Sequence, residues 1–169
     1  STSAVVGAEG TVALATASHS IAATLGYEDG EQIPLDEMLG MVRRIVAVTD
    51  LPVSADLEGG YGDAPGTVRR AIELGVVGAN IEDQLRPIDE AASQVEAIMR
   101  VAKDAGVPDF VLNARTDAFP VGGDRDRDVV IADALERGRA YLDAGAPVVF
   151  VPGPLTGDEV RTLVDAFGR

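Results

Sequence analysis

The chain has no cysteine and a single histidine. Disulfides, thiolate metal sites and cysteine nucleophiles are therefore excluded. Basic residues are scarce as well: 14 Lys and Arg stand against 28 Asp and Glu, a formal net charge of -14. That balance argues against nucleic acid, whose phosphates demand basic patches. It fits a soluble intracellular protein, or one that collects divalent cations. No apolar run approaches the length of a membrane span and no signal peptide opens the sequence. Neither nucleic acid nor membrane is thus an expected partner, and the cytoplasm is the expected compartment. A chain of 169 residues suffices for one domain with a real core and is short for two.

What is present is an alternation of helical and strand patterns. "PLDEMLGMVRRIVAVTD" puts Leu35, Met38, Leu39, Val42, Ile45 and Val46 on one helical face. "APGTVRRAIELG" reads as a helix with Asp63 as N-cap, Pro65 in its first turn and Gly75 at its end. "DEAASQVEAIMRVAKDAG" turns Ala92, Val95, Ile98, Met99 and Ala102 inward, and "VVIADALERGRAYLDAG" does so with Ile131, Leu135, Gly138 and Leu142. "TGDEVRTLVDAFG" opens with a capping box from Thr156 to Glu159. Between these lie the strand candidates "LPVSAD", "VVGANIED", "DFVLNAR" and "PVVFVP". "GTVALATAS" is a further strand candidate, behind a short N-terminal helix.

The pairs "LGVVGANI", "AGVPDFVL" and "AGAPVVFV" recur at the spacing of a βα unit. Helices between β-rich strands imply parallel pairing, in a doubly wound sheet or a (β/α)8 barrel. The strand ends favour the barrel. Asp56 and Glu58 share a face, as do Asn80 and Glu82, and as do Asn113, Arg115 and Asp117. Three successive strands with polar C-terminal ends match the place where barrel enzymes build their sites, whereas a doubly wound sheet concentrates them at one switch point. Five strands are legible where a closed barrel needs eight, and the sequence begins at Ser1. The expectation is a single, partial barrel domain over residues 1–169, its first strand and last two lying outside this sequence.

The stretch "SADLEGGYGDAP" raises the chemical question, because a buried strand should not end in two acids without compensation. Asp56, Glu58 and Glu82 on neighbouring strands would repel across a narrow mouth. A hard divalent cation resolves this, since Mg2+ takes oxygen ligands, keeps several waters and needs one or two direct carboxylates. Arg115 supplies the positive partner for a carboxylate or phosphonate. Gly59, Gly60 and Gly62 let the backbone turn sharply. The plainer reading is that these acids cap strands and pair with surface arginines; three acids and an arginine on adjacent strand ends weigh against it.

"LPVSADLEGGYGD", "GVVGANIEDQ" and "VLNARTDAF" together resemble the isocitrate lyase/phosphoenolpyruvate mutase superfamily, in particular its phosphoenolpyruvate phosphonomutase-like branch. "SIAATLGYEDGEQIPLDEML" is similar to the same family's segment between second strand and second helix. The resemblance implies a TIM-type barrel that uses Mg2+, with Mn2+ able to substitute. Its reaction would break or form a C–C or C–P bond beside a 2-keto or 2-hydroxy carboxylate, through a metal-stabilised enolate. It implies that Asp56, Glu58 and Glu82 hold the metal directly or through water, that Asp29 is a further acid near it, and that Arg115 grips the substrate carboxylate. It places Ser18 in the segment whose backbone amides receive substrate oxygens, and it implies a homo-oligomer.

The chain also departs from that pattern. The carbon–carbon lyases carry a cysteine-bearing loop after the "ED" strand, which this chain cannot have. "EDQLRP" passes almost directly into the next helix, with Gln84 where the mutases have lysine, and Ala17 stands where many relatives have serine. The resemblance therefore names a family and leaves lyase, mutase, hydrolase and decarboxylase chemistries open. A non-catalytic metal- or carboxylate-binding remnant of the same fold is the alternative.

Smaller signals are weaker. Asp124, Asp126 and Asp128 have the spacing of a calcium loop, but Val129 and Leu135 stand where glycine and glutamate are needed, so a solvated loop is expected. His19 is expected to pack or hydrogen-bond. Tyr61 could line a substrate pocket with its hydroxyl toward water, or be structural. "EGGYG" is no P-loop, because no Lys-Ser/Thr follows it.

Overall fold

The structure, a computed structural model, describes residues 10–122 and 124–168. The expected N-terminal helix lies outside them. Strands β1 (Leu14–Ala15), β2 (Val53–Asp56), β3 (Gly78–Glu82), β4 (Val111–Arg115) and β5 (Val148–Phe150) form one parallel sheet in sequential order. Helices α1 (Ser18–Leu25) and α2 (Leu35–Val46) lie between β1 and β2. Each later crossover carries one helix: α3 (Ala64–Glu73), α4 (Ile88–Asp104) and α5 (Arg127–Asp143), and α6 (Gly157–Phe167) follows β5.

Sequential parallel order with right-handed crossovers puts the crossover helices on one face of the sheet. Burial agrees. The residues facing the helices, Val53, Ala55, Ala79, Ile81, Leu112 and Ala114, are all buried, and all but Val53 belong to one apolar cluster. Those on the other face are not: Asp56, Asn80, Glu82, Asn113 and Arg115 are half-buried, and Val148 and Phe150 are exposed. This is the one-sided winding of a barrel-type α/β fold, not a doubly wound sheet, which would cover both faces.

The repeat seen in the sequence has a backbone cause. Gly75, Gly106 and Gly145 follow α3, α4 and α5 with φ of 96, 84 and 97, so each helix ends on a left-handed residue that only glycine adopts without strain. Asp63 caps α3 by accepting from the Gly66 amide at 3.0 Å, and Thr156 and Glu159 form the capping box of α6.

Three expectations are corrected. β1 covers two residues of "GTVALATAS". Ala91 rather than Ala92 is buried on α4. On α5 the buried stripe is Val130, Ala134, Arg137, Gly138 and Tyr141, while Ile131, Leu135 and Leu142 are half-buried beside it. The reason lies at Asp83, whose carboxylate draws Arg137 and Tyr141 inward.

Candidate active site

Strand register stacks the polar inner-face residues into two layers. In the lower one Asp56, Asn80 and Asn113 stand side by side. Asn113 Nδ2 donates to Asn80 Oδ1 at 3.1 Å, and Asn80 Nδ2 donates to Asp56 Oδ1 at 2.9 Å. The Ser18 amide donates to Asp56 Oδ2 at 2.9 Å, so a hydrogen-bonded row runs across the sheet to the start of α1. In the upper layer Glu82 pairs with Arg115, Oε2 to Nη1, at 3.1 Å. Arg115 Nε and Nη2 both reach Asp117 Oδ1 at 2.8 Å. The fork thus bridges two acids, and with five N–H groups on a guanidinium it keeps two for another carboxylate.

Glu58 arrives differently from the expectation. β2 ends at Asp56, and Glu58 has a left-handed backbone, φ 55, so strand alternation does not place it. Its side chain is nevertheless buried. Oε1 accepts from the Tyr61 hydroxyl at 2.9 Å and Oε2 from the Glu31 amide. Among the described residues the left-handed non-glycines are Glu31, Glu58 and Tyr61, bonded to one another at this mouth, and Gln84 and Leu85 in the turn after β3. Such conformations cost of order 1–3 kcal/mol each and concentrate where function over-determines the backbone.

Negative charge exceeds positive here, and protonation equilibria respond. Burial pushes the Glu82 carboxyl up to about 7; Asp117 adds to the rise, Arg115 offsets part of it, and Asp56 and Glu58 add more. Burial likewise raises Glu58 and Asp117 above the ordinary carboxylate range. The Tyr61 phenol is raised by burial and by its bond to Glu58. Among the described residues one guanidinium, that of Arg115, faces Asp56, Glu58, Glu82 and Asp117. Among the described residues no three acidic or histidine side chains converge at metal-ligand spacing. The three candidate acids share a mouth without meeting at one point. An all-oxygen donor set with surplus negative charge suits a hard cation that keeps much of its water, and Asp56, Glu58 and Glu82 are the residues that could hold it.

The family model for phosphoenolpyruvate phosphomutase matches residues 1–169. The chain belongs to this family. It is 34% identical over 155 residues to the 2,3-dimethylmalate lyase of Eubacterium barkeri, covering 84% of this chain and 51% of that protein. It is 37% identical over 143 residues to the 2-methylisocitrate lyase of Escherichia coli (strain K12), covering 76% and 46%. The chain spans about half the length of these relatives. A crystal structure of a phosphonomutase candidate from Burkholderia cenocepacia J2315 superposes with a TM-score of 0.90 at 43% identity, covering 97% of this chain and 70% of that one. A phosphonopyruvate hydrolase complex with oxalate and Mg2+ shares the fold, with a TM-score of 0.84 at 22% identity, over 99% of this chain and 60% of that one.

Asp29 is exposed, in the loop after α1, and close enough to raise Glu58 electrostatically. The Ser18 amide, expected to face a substrate, is bonded to Asp56. The Tyr61 hydroxyl, expected toward water if the ring lined a pocket, is bonded to Glu58. His19 is exposed on α1. Asp126 caps α5 by accepting from the Asp128 amide, as a solvated loop entering a helix does. No described helix is long and apolar enough to cross a membrane. Sequence reasoning missed the Glu31 contacts and the buried group Asp83–Arg137–Tyr141. The sequence signal for Glu31 is an acid two residues from Asp29, across Gly30.

Proposed function

We propose that this chain carries the mouth of a Mg2+-dependent enzyme acting on a small 2-keto or 2-hydroxy carboxylate, or a phosphonate, breaking or forming the adjacent C–C or C–P bond. The observation that carries the reading is the mouth itself, where the inward-facing acids of β2 and β3 and their exit turns outnumber the one guanidinium from β4. The lyase and phosphonomutase relatives support the bond class.

A cation bound there supplies charge against the negative oxygen that develops as the bond breaks. The chain's own residues do the rest. The two free N–H groups of Arg115 hold the substrate carboxylate end-on, while Glu82 and Asp117 fix the plane of the guanidinium. Asn80 and Asn113 form the polar floor and hold Asp56 in place. Asp29, exposed at the rim, moves a proton or positions a water. The short Gln84–Leu85 turn, which leads straight into α4, favours one second reading: a mouth that binds cation and carboxylate without turnover.

The test combines calorimetry with a turnover screen. Mg2+ or Mn2+ should bind the wild type and not Asp56→Ala; equal binding would remove the metal site. Oxaloacetate, phosphonopyruvate and alkylated malates are then followed for pyruvate release with Mg2+. Release supports the enzyme, and cation binding without any release supports the remnant. Arg115→Lys should weaken oxalate binding on the order of 2–3 kcal/mol with Mg2+ affinity near wild type. Loss of Mg2+ affinity as large as in Asp56→Asn would make Arg115 a counter-ion for the acids alone.

A further inference from the structure

We propose that Glu31 is a positioning residue of the mouth, clasping the Glu58–Gly62 turn so that the Glu58 carboxylate stands ready for a cation. The proposal deepens the reading of Glu58 as a cation-holding acid and rests on it. Glu31 has φ 61, a conformation that a side chain disfavours and that glycine adopts freely. Its neighbour Gly30, with φ 88, is a glycine of that kind. A glutamate at such a position needs a compensating contact, and two are present. The Glu31 amide donates to Glu58 Oε2, and Glu31 Oε1 accepts from the Tyr61 amide at 2.6 Å.

The Tyr61 hydroxyl closes the ring by donating to Glu58 Oε1 at 2.9 Å. All three members are left-handed, so each is held by the other two. The clasp takes one acceptor site on each Glu58 oxygen and leaves the others free. Groups that orient a ligand in this manner set metal affinity without touching the metal.

A merely structural turn and a positioning clasp make opposite predictions for Glu31→Gly. Glycine relieves the backbone, so a structural role leaves melting temperature equal or higher and Mn2+ affinity unchanged. The clasp predicts equal or higher melting temperature together with Mn2+ affinity lowered by about tenfold or more. It also predicts faster amide exchange at Tyr61 and Gly62 in metal-free protein. Glu31→Gln keeps an oxygen acceptor for the Tyr61 amide and should restore both. An affinity within twofold of wild type in Glu31→Gly overturns the proposal. So does a loss in Glu31→Gln as large as in Glu31→Gly, which would assign the effect to charge. Equal Mn2+ binding by wild type and Asp56→Ala would instead sink the cation reading and the clasp's purpose with it. Exchange at Tyr61 would then decide whether the clasp exists at all.

Discussion

Glu82 and Asp83 are consecutive carboxylates at the end of β3, and they meet opposite surroundings. Glu82 points to the open face, where Arg115 at 3.1 Å is its ion-pair partner and Asp117, Asp56 and Glu58 crowd it with like charge. Asp83 points to the helix side. Its Oδ1 accepts from the amides of Leu85 at 2.9 Å and Asp117 at 3.0 Å, and its Oδ2 from Arg137 Nη1 at 3.0 Å and the Tyr141 hydroxyl. Arg137 in turn reaches Asp133 Oδ1 at 2.7 Å and the Arg86 carbonyl at 2.8 Å. Four donors on one buried carboxylate make a structural fastening, tying the β3 and β4 exits to α5. A carboxylate short of positive charge at the sheet's open end is one that a ligand can complete. Strand alternation alone separates the two roles.

The largest effect should come from breaking the fastened side. Asp83→Ala takes the acceptor from the buried Tyr141 hydroxyl and from the amides of Leu85 and Asp117, while Arg137 keeps Asp133, and each buried donor left unpaired costs about 1–3 kcal/mol. Urea unfolding should show a loss of that order, with a smaller one for Asp83→Asn. A loss below about 1 kcal/mol would mean that water replaces the carboxylate and that this side is no more fastened than the mouth.

The mouth should reveal itself through pH. The Glu82 carboxyl is raised from 4.5 to about 7 in the folded chain, so between these values the folded state keeps a proton that the unfolded state has released. Stability from this group is complete below 4.5 and is lost as pH rises through about 7. The loss is on the order of 3 kcal/mol. Glu82→Gln should flatten much of that slope, and the residue of it belongs to Glu58 and Asp117, which burial also raises. Unfolding measured in chelator from pH 4.5 to 8 checks this. A wild-type stability that climbs with pH would contradict the surplus of negative charge, and Mg2+ at the upper end should recover what pH removes.

Sequence legibility divides along the same line. Asp56, Asn80, Asn113, Glu82 and Arg115 could be placed on one face because strands have period two and their alternate neighbours are apolar. The helix stops were legible because Gly75, Gly106 and Gly145 each carry the left-handed residue. The fastening was not, since Arg137 lies 54 residues from Asp83 and a buried arginine breaks the apolar stripe by which a helix face is recognised. Hence Ile131, Leu135 and Leu142 looked inward in place of Val130, Ala134 and Tyr141. Strand alternation does not place Glu58. Its alternation with Asp56 ends where the backbone turns left-handed, and burial and the bonds from Glu31 and Tyr61 hold it there instead.

The smallest effect should come from the rim, and a pair of adjacent glycines gives it a control. A Cβ on Gly60, whose φ is 93, would meet Ala64 Cβ at 2.2 Å and Cα at 2.5 Å, the first turn of α3. Backbone there cannot yield cheaply, and Gly60→Ala should cost about 1–3 kcal/mol or more. The three atoms nearest to a Cβ on Gly59 all belong to the Gln84 amide, at 2.3–2.7 Å, and that is the end of a flexible side chain. Gly59 is not left-handed, so Gly59→Ala should cost less than about 1 kcal/mol while displacing Gln84 from Arg86 Nη2, now 3.0 Å from its Oε1. Stability is then nearly blind to the change, and ligand binding is the sensitive readout: oxalate affinity in the presence of Mg2+ should shift if Gln84 roofs the mouth. A cost at Gly59 as large as at Gly60 would show that Gln84 is packed as firmly as the Asp83 fastening, and the rim would belong to the rigid side of the molecule.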